Sequence, residues 1–183
     1  SRGMGLELTK QYAAKGWKVI ATCRTPVTAD ALNALAEEYS SIAIEELDVT
    51  DHAEIEALAK KYSDVPIDVL INNAGIFGPA AKQTLEDLDY DTFTNVMAVN
   101  VYGPLNMSQS FADNVAASEQ KKIVTIPSGL GSMALTDKNC GYYFYRISKA
   151  GANIVGRTLA ADLRDRGILI GLFNPGIVDT EFG

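Results

Sequence analysis

Apolar, β-branched runs alternate along this chain with stretches in which apolar residues recur at helical spacing. Runs at 18–23 (KVIATC), 42–47, 67–72 (IDVLIN), 122–126 (KIVTI) and 168–173 (ILIGLF) read as strands, and segments 3–15, 29–39, 51–62, 88–117 and 142–164 as helices. Gly16 stands where a helix stops, and Thr50 or Asp51 where one is capped. Strands apolar on both faces, alternating with helices, predict an α/β fold. The expected form is a doubly wound parallel sheet between two helical layers, three layers in all. No repeat, low-complexity tract or linker divides residues 1–183, so one domain is expected.

The two ends depart from that pattern. Ser1-Arg2-Gly3-Met4-Gly5 is a glycine-rich turn opening a helix with no strand before it, and Gly183 follows closely on the loop after the last strand. In a doubly wound sheet the first strand lies centrally. The expectation is therefore a sheet incomplete at both ends, in a fragment lacking its first strand and a C-terminal segment.

Composition narrows the function classes. The chain has 183 residues, 47% hydrophobic and 21% charged, which is ordinary for a globular protein. A domain of this size buries roughly 70% of its unfolded surface. No apolar run approaches the ~18 residues of a membrane span, so no membrane partner is expected. A net charge of −7 argues against nucleic acid, which needs a cationic surface. Cys23 and Cys140 make no disulfide framework, so a reducing cytoplasm is the default. A single histidine, His52, argues against Cys/His zinc clusters and Ser-His-Asp arrangements. Acid–base chemistry must then run on other residues.

A turn leading into a helix can cradle a pyrophosphate: glycine admits the phosphates to the backbone, and free N–H groups and the helix dipole favour negative charge. Ser1, Arg2, Gly3 and Met4 are the candidate contacts, although two glycines alone are ordinary turn chemistry. In Rossmann-like folds the end of the next strand meets the adenosine ribose. An acidic residue there would repel a 2′-phosphate, but the sequence has Thr22-Cys23-Arg24. NADP(H) is therefore expected over NAD(H), with Arg2 as a second candidate cation; the alternative is that Arg24 is only a solvated strand-end charge. Asp48 and Val49 could meet the adenine edge, or Asp48 could simply cap the following helix. In Asn72-Asn73-Ala74-Gly75 the amides can tie strand ends together, and Ala74 and Gly75 leave room for a flat ring or ribose.

The glycine turn at 1–5, Asn72-Asn73-Ala74-Gly75 and Tyr145-Arg146-Ile147-Ser148-Lys149 resemble the short-chain dehydrogenase/reductase family. So do Asn100 within Val99-Asn100-Val101, Ser128 and Asn174-Pro175-Gly176, in the family's order over the whole chain. Residues 141–146 and the long Ser-to-Tyr spacing look most like its carbonyl-reductase and C-factor-like branch. The resemblance implies an NADP(H)-dependent oxidoreductase acting on a small-molecule carbonyl or alcohol, a homodimer or homotetramer at full length. Tyr145 would be the proton donor or acceptor, Lys149 would bind the nicotinamide ribose, Ser128 would hold the substrate oxygen, and Asn100 would support a water-linked proton path. Pro175, Gly176, Ile177 and Thr180 would border the nicotinamide. The family's usual Thr-Gly before the turn is absent, and Pro127 replaces a small polar residue beside Ser128.

The residue types suit that chemistry. A free phenol, with pKa about 10, is a reluctant base. Spacing of four along a helix sets Lys149 beside Tyr145. A cation ~4 Å away at an effective dielectric of ~20 contributes roughly 4 kcal/mol, up to about 3 pKa units, so the phenol is expected to fall toward working pH. Tyr142 and Tyr143 have no lysine four residues on. Ser132 rivals Ser128. Asn100 also reads as a satisfied buried amide, Cys140 as a loop thiol and His52 as a surface helix residue. Competing readings are a non-catalytic dinucleotide sensor or interaction protein on the same fold, and an inert fragment.

Overall fold

The structure, a computed structural model, describes residues 1–136, 141–176 and 178. Among the described residues five strands form two sheets, each with parallel pairing throughout. β1 (Val19–Cys23) pairs with β2 (Ile42–Glu46), Val19 opposite Ile42. β3 (Val69–Asn72), β4 (Lys122–Thr125) and β5 (Leu169–Leu172) form a second sheet in that order, with Val69, Lys122 and Leu169 abreast. The α/β class with parallel strands is as expected. The two sheets are not hydrogen-bonded to each other. Residues of β1 and of β3 line one cavity.

The helices are α1 (Gly3–Ala14), α2 (Asp30–Glu38), α3 (His52–Lys61), α4 (Tyr90–Met97), α5 (Gly103–Ser110), α6 (Ala112–Ala116) and α7 (Tyr143–Asp162). Local chemistry explains their ends. At the C-terminus of α1, Gly16 takes φ +82° and donates to the Ala13 carbonyl at 2.9 Å. Trp17 N–H reaches the Tyr12 carbonyl at 3.1 Å, and the Tyr12 and Trp17 rings meet edge to face at 5.1 Å. The cap of α3 is Asp51, not Thr50: its Oδ1 accepts from Ala53 and Glu54 N–H at 2.9 and 3.1 Å.

The expected helix over 88–117 is divided. A π-turn, Ala98–Tyr102, joins α4 to α5, and Phe111 separates α5 from α6. Pro104 accounts for the first interruption. It has no N–H to give and its ring crowds the carbonyl four residues back, that of Asn100, so the turn widens there.

Ala13, Ala21, Leu32, Leu35 and Ile42 pack α1 and α2 against β1–β2. Leu47, Ile55, Leu58, Met107 and Phe111 join α3 to α5, and Val115, Ile123 and Ile168 close α6 over β4. Ile55, Val96, Val115 and Ile123 are fully buried, each contributing about 1.5–3 kcal/mol. Among the described residues no helix is long and apolar enough to cross a membrane.

Candidate active site

The cavity between the sheets, about 1270 Å³, is walled by the turn at 1–5 and by Arg24, Asp48 and Val49 beyond β1 and β2. Asn73, Ala74 and Gly75 beyond β3 continue the wall, and Ser128, Tyr145, Lys149, Pro175 and Gly176 complete it. Ser132 and Asn100 do not line it. Ile177, Thr180 and Cys140 lie outside the described residues.

Ser128 follows β4 in extended backbone, and its Oγ accepts from Leu130 N–H at 3.2 Å, opening a short 3-10 turn, Gly129–Gly131. That turn packs so tightly on α7 that a Cβ on Gly131 would lie 2.5 Å from the backbone carbon of Lys149. The contact brings Ser128 within hydrogen-bonding reach of the Tyr145 side chain despite Pro127. Tyr145 and Lys149, one turn apart on α7, are both about 6% exposed.

Their electrostatics correct the expectation. Burial pushes the Tyr145 phenol above its ordinary value, and the hydrogen bond with Ser128 opposes this only in part. Lys149 does not lower it. Its Nζ donates to the Ile126 carbonyl at 3.0 Å and lies 5.6 Å from the Tyr145 ring centre, over the ring and turned to a partner of its own. Burial in turn pulls the lysine down from 10.5 to about 8. At neutral pH this wall holds a protonated phenol beside an ammonium.

Asn100 is 2% exposed in the π-turn. Its Oδ1 accepts from Ile76 N–H, and its Nδ2 donates to the Ile76 carbonyl and to Ser148 Oγ, all at 2.8–2.9 Å. With both amide hydrogens committed, the carboxamide braces the loop after β3. Asn72 ties strand ends as expected, donating to Ser108 Oγ at 3.1 Å and Thr125 Oγ1 at 3.5 Å. His52 is a surface helix residue, 3.0 Å from Glu56.

The opposite end of the cavity fits a phosphate-bearing cofactor. The first turn of α1 carries no acidic residue, and a helix N-terminus presents backbone N–H groups that suit an anion. Gly3 begins the helix at φ +53°, and a Cβ on Gly5 would fall 2.7 Å from Asn73 Nδ2. The left-handed backbone at Gly3 favours glycine there, and at Gly5 a larger residue would displace the Asn73 carboxamide. Asn73 Oδ1 is buried with no partner among the described residues, an acceptor available to a ribose hydroxyl. Asp48 accepts from Thr50 hydroxyl and N–H at 2.7 and 2.8 Å; these bonds, with Arg24 nearby, hold it below the usual carboxylate range. It braces this turn and does not cap α3.

Sequence reasoning missed Phe77 and Gln83. The Phe77 ring lies 4.5 Å from the Tyr145 ring, centre to centre, and the Gln83 carboxamide bonds the Tyr145 backbone. Neither residue sits in a recognisable pattern; a partner 62 positions away leaves no local signal.

Parallel strand ends converging with a glycine-opened helix on one cleft mark the Rossmann-like dinucleotide-binding class. The chain belongs to the short chain dehydrogenase family, whose model matches residues 1–183, and it is an oxidoreductase of that family. It is 34% identical over 127 residues to the C-signal protein of Myxococcus xanthus, covering 69% of this chain and 75% of that one. A short-chain dehydrogenase/reductase of Burkholderia multivorans with bound NADP superposes with a TM-score of 0.89 at 33% identity, covering 100% of this chain and 78% of its own. An NADPH-bound carbonyl reductase from chicken fatty liver does so at 0.89 and 32%, covering 99% and 78%.

Proposed function

We propose that this protein interconverts a small-molecule carbonyl and its alcohol using NADP(H). The observation that carries the reading is the convergence of Ser128, Tyr145 and Lys149 on a cavity that also receives the N-terminus of α1. The cofactor would rest its phosphates on residues 1–4 and its ribose near Asn73, Tyr145 and Lys149, with Asp48, Val49, Ala74, Gly75, Pro175 and Gly176 bordering its rings; Ile177 and Thr180 belong to the same proposal. Arg24, after a strand that ends without a carboxylate, suits a 2′-phosphate, and the Burkholderia and chicken proteins carry NADP and NADPH.

When bound, the reduced nicotinamide supplies hydride to the carbonyl carbon. Ser128 holds the substrate oxygen, and the Tyr145 hydroxyl gives that oxygen its proton. Burial keeps the phenol protonated at neutral pH, the form that can donate. Lys149, charged below about pH 8, binds the nicotinamide ribose. Asn100 braces the loop at Ile76 and supports a water-linked proton path.

The same reading takes the chain as one oxidoreductase domain, cytoplasmic, and a homodimer or homotetramer at full length. Exposed Tyr102, Leu105, Ile147 and Ile154 on α5, its preceding turn and α7 support the last point. Tyr145→Phe tests the mechanism: NADPH oxidation with a carbonyl panel should fall to background while NADPH affinity stays within about twofold. Undiminished turnover removes Tyr145 from the chemistry, and nucleotide binding with no wild-type turnover favours a sensor.

A further inference from the structure

A helix leaves the N–H groups of its first turn without intrahelical partners, and a Ser, Thr, Asp or Asn at the cap normally takes one of them. The catalytic helix has no such cap. Its N-cap residue is Tyr142, in left-handed backbone at φ +52°, with no side-chain cap bond, and the first turn holds no acidic residue. The missing acceptors come from Gln83, a fully buried residue in the loop between β3 and α4. Its Oε1 accepts from Tyr145 N–H at 3.0 Å and its backbone carbonyl from Tyr143 N–H at 3.3 Å. On its other side, Nε2 donates to the Phe77 and Pro79 carbonyls at 3.0 and 3.4 Å.

We propose that Gln83 is a positioning residue for Tyr145, a cap supplied from across the fold that fixes the phenol against Ser128. Tyr145 is then held at both ends of its peptide unit, by Gln83 at the N–H and by Ser148 Oγ, which donates to its carbonyl at 2.8 Å. Ser148 in turn is held by Asn100, so two buried carboxamides bind the helix start to one loop. The Phe77 ring stacks on Tyr145 from that same loop. Glutamine suits the position because it must accept from the helix and donate to two loop carbonyls at once. A carboxylate would face those carbonyls with lone pairs, and an apolar side chain would leave both sides unpaired.

The catalytic part of this inference rests on the proposed function, and the test separates the two. Gln83→Met keeps the volume and removes every polar contact. Gln83→Glu keeps acceptor and donor while its carboxyl is protonated, a form that burial favours. Three readouts are compared with wild type: kcat per NADPH-binding site, NADPH affinity, and the 13Cζ resonance of Tyr145 at neutral pH, assigned by its loss in Tyr145→Phe. For Gln83→Met the expected results are a kcat lower by at least about tenfold, NADPH affinity within about twofold and a displaced Tyr145 resonance. Gln83→Glu should approach wild-type kcat at pH 6 and fall away by pH 9. A wild-type resonance and kcat in Gln83→Met, or a Gln83→Glu to wild-type ratio independent of pH, overturns the proposal; the second criterion decides alone if Gln83→Met does not fold. A wild-type chain without turnover defeats the proposed function instead, and the Tyr145 resonance still decides whether Gln83 positions the phenol.

Discussion

Replacing Lys149 with Met should make the protein more stable at neutral pH while destroying its activity. Lys149 is 6% exposed, and its ammonium has the Ile126 carbonyl as its hydrogen-bond acceptor. Desolvation lowers its pKa from 10.5 to about 8, a cost on the order of 3 kcal/mol at about 1.36 kcal/mol per pKa unit. Below pH 8 folded and unfolded chains both carry the proton, so the cost of burying the charge is borne in full. Between about 8 and 10.5 the unfolded chain binds more protons than the folded one, so wild-type stability rises with pH and the cost is relieved. Methionine removes the penalty but strands the Ile126 carbonyl, at a loss of about 1–1.5 kcal/mol. The net gain at pH 7 is about 2 kcal/mol, or about 4–8 °C in Tm for a chain of this size. Circular-dichroism melts of both proteins at pH 7 and pH 10 measure it. The gap should be wide at pH 7 and small at pH 10, with NADPH turnover lost throughout. A variant less stable than wild type at pH 7, or a gap unchanged between the two pH values, refutes the reasoning.

Two other substitutions probe neighbouring features. Gly131→Ala forces a Cβ to within 2.5 Å of the Lys149 backbone carbon, so the turn carrying Ser128 must move off α7; a stability loss of about 1–3 kcal/mol in urea unfolding is expected, with a lower kcat. Arg24→Asp should shift the NADPH-to-NADH preference by at least about tenfold toward NADH, since one cation on a 2′-phosphate contributes about 1.5–3 kcal/mol; an unchanged ratio of kcat/KM values takes Arg24 away from the phosphate.

Much of this protein is written locally. The strands at 18–23 and 122–126 appear as short apolar runs, Gly16 and Asp51 punctuate helices through backbone chemistry, and Tyr145 and Lys149 share a face because the helical repeat demands it. These features depend on residues a few positions apart, and periodicity and capping encode that range. The π-turn at 98–102 is missed by the periodicity reading, which expects one helix over 88–117, although Pro104 is a local signal for a disturbance at Asn100.

Tertiary structure decided what those residues experience. The Tyr145 phenol is raised rather than lowered because burial acts on it while the lysine ammonium turns to Ile126, 23 positions away. Asn100 becomes a brace because Ile76 and Ser148 meet it, and Gln83 caps α7 from 62 positions upstream. Desolvation and long-range hydrogen bonds arise only when distant segments are brought together. Sequence thus names the groups able to do the chemistry, and packing sets their protonation and their partners.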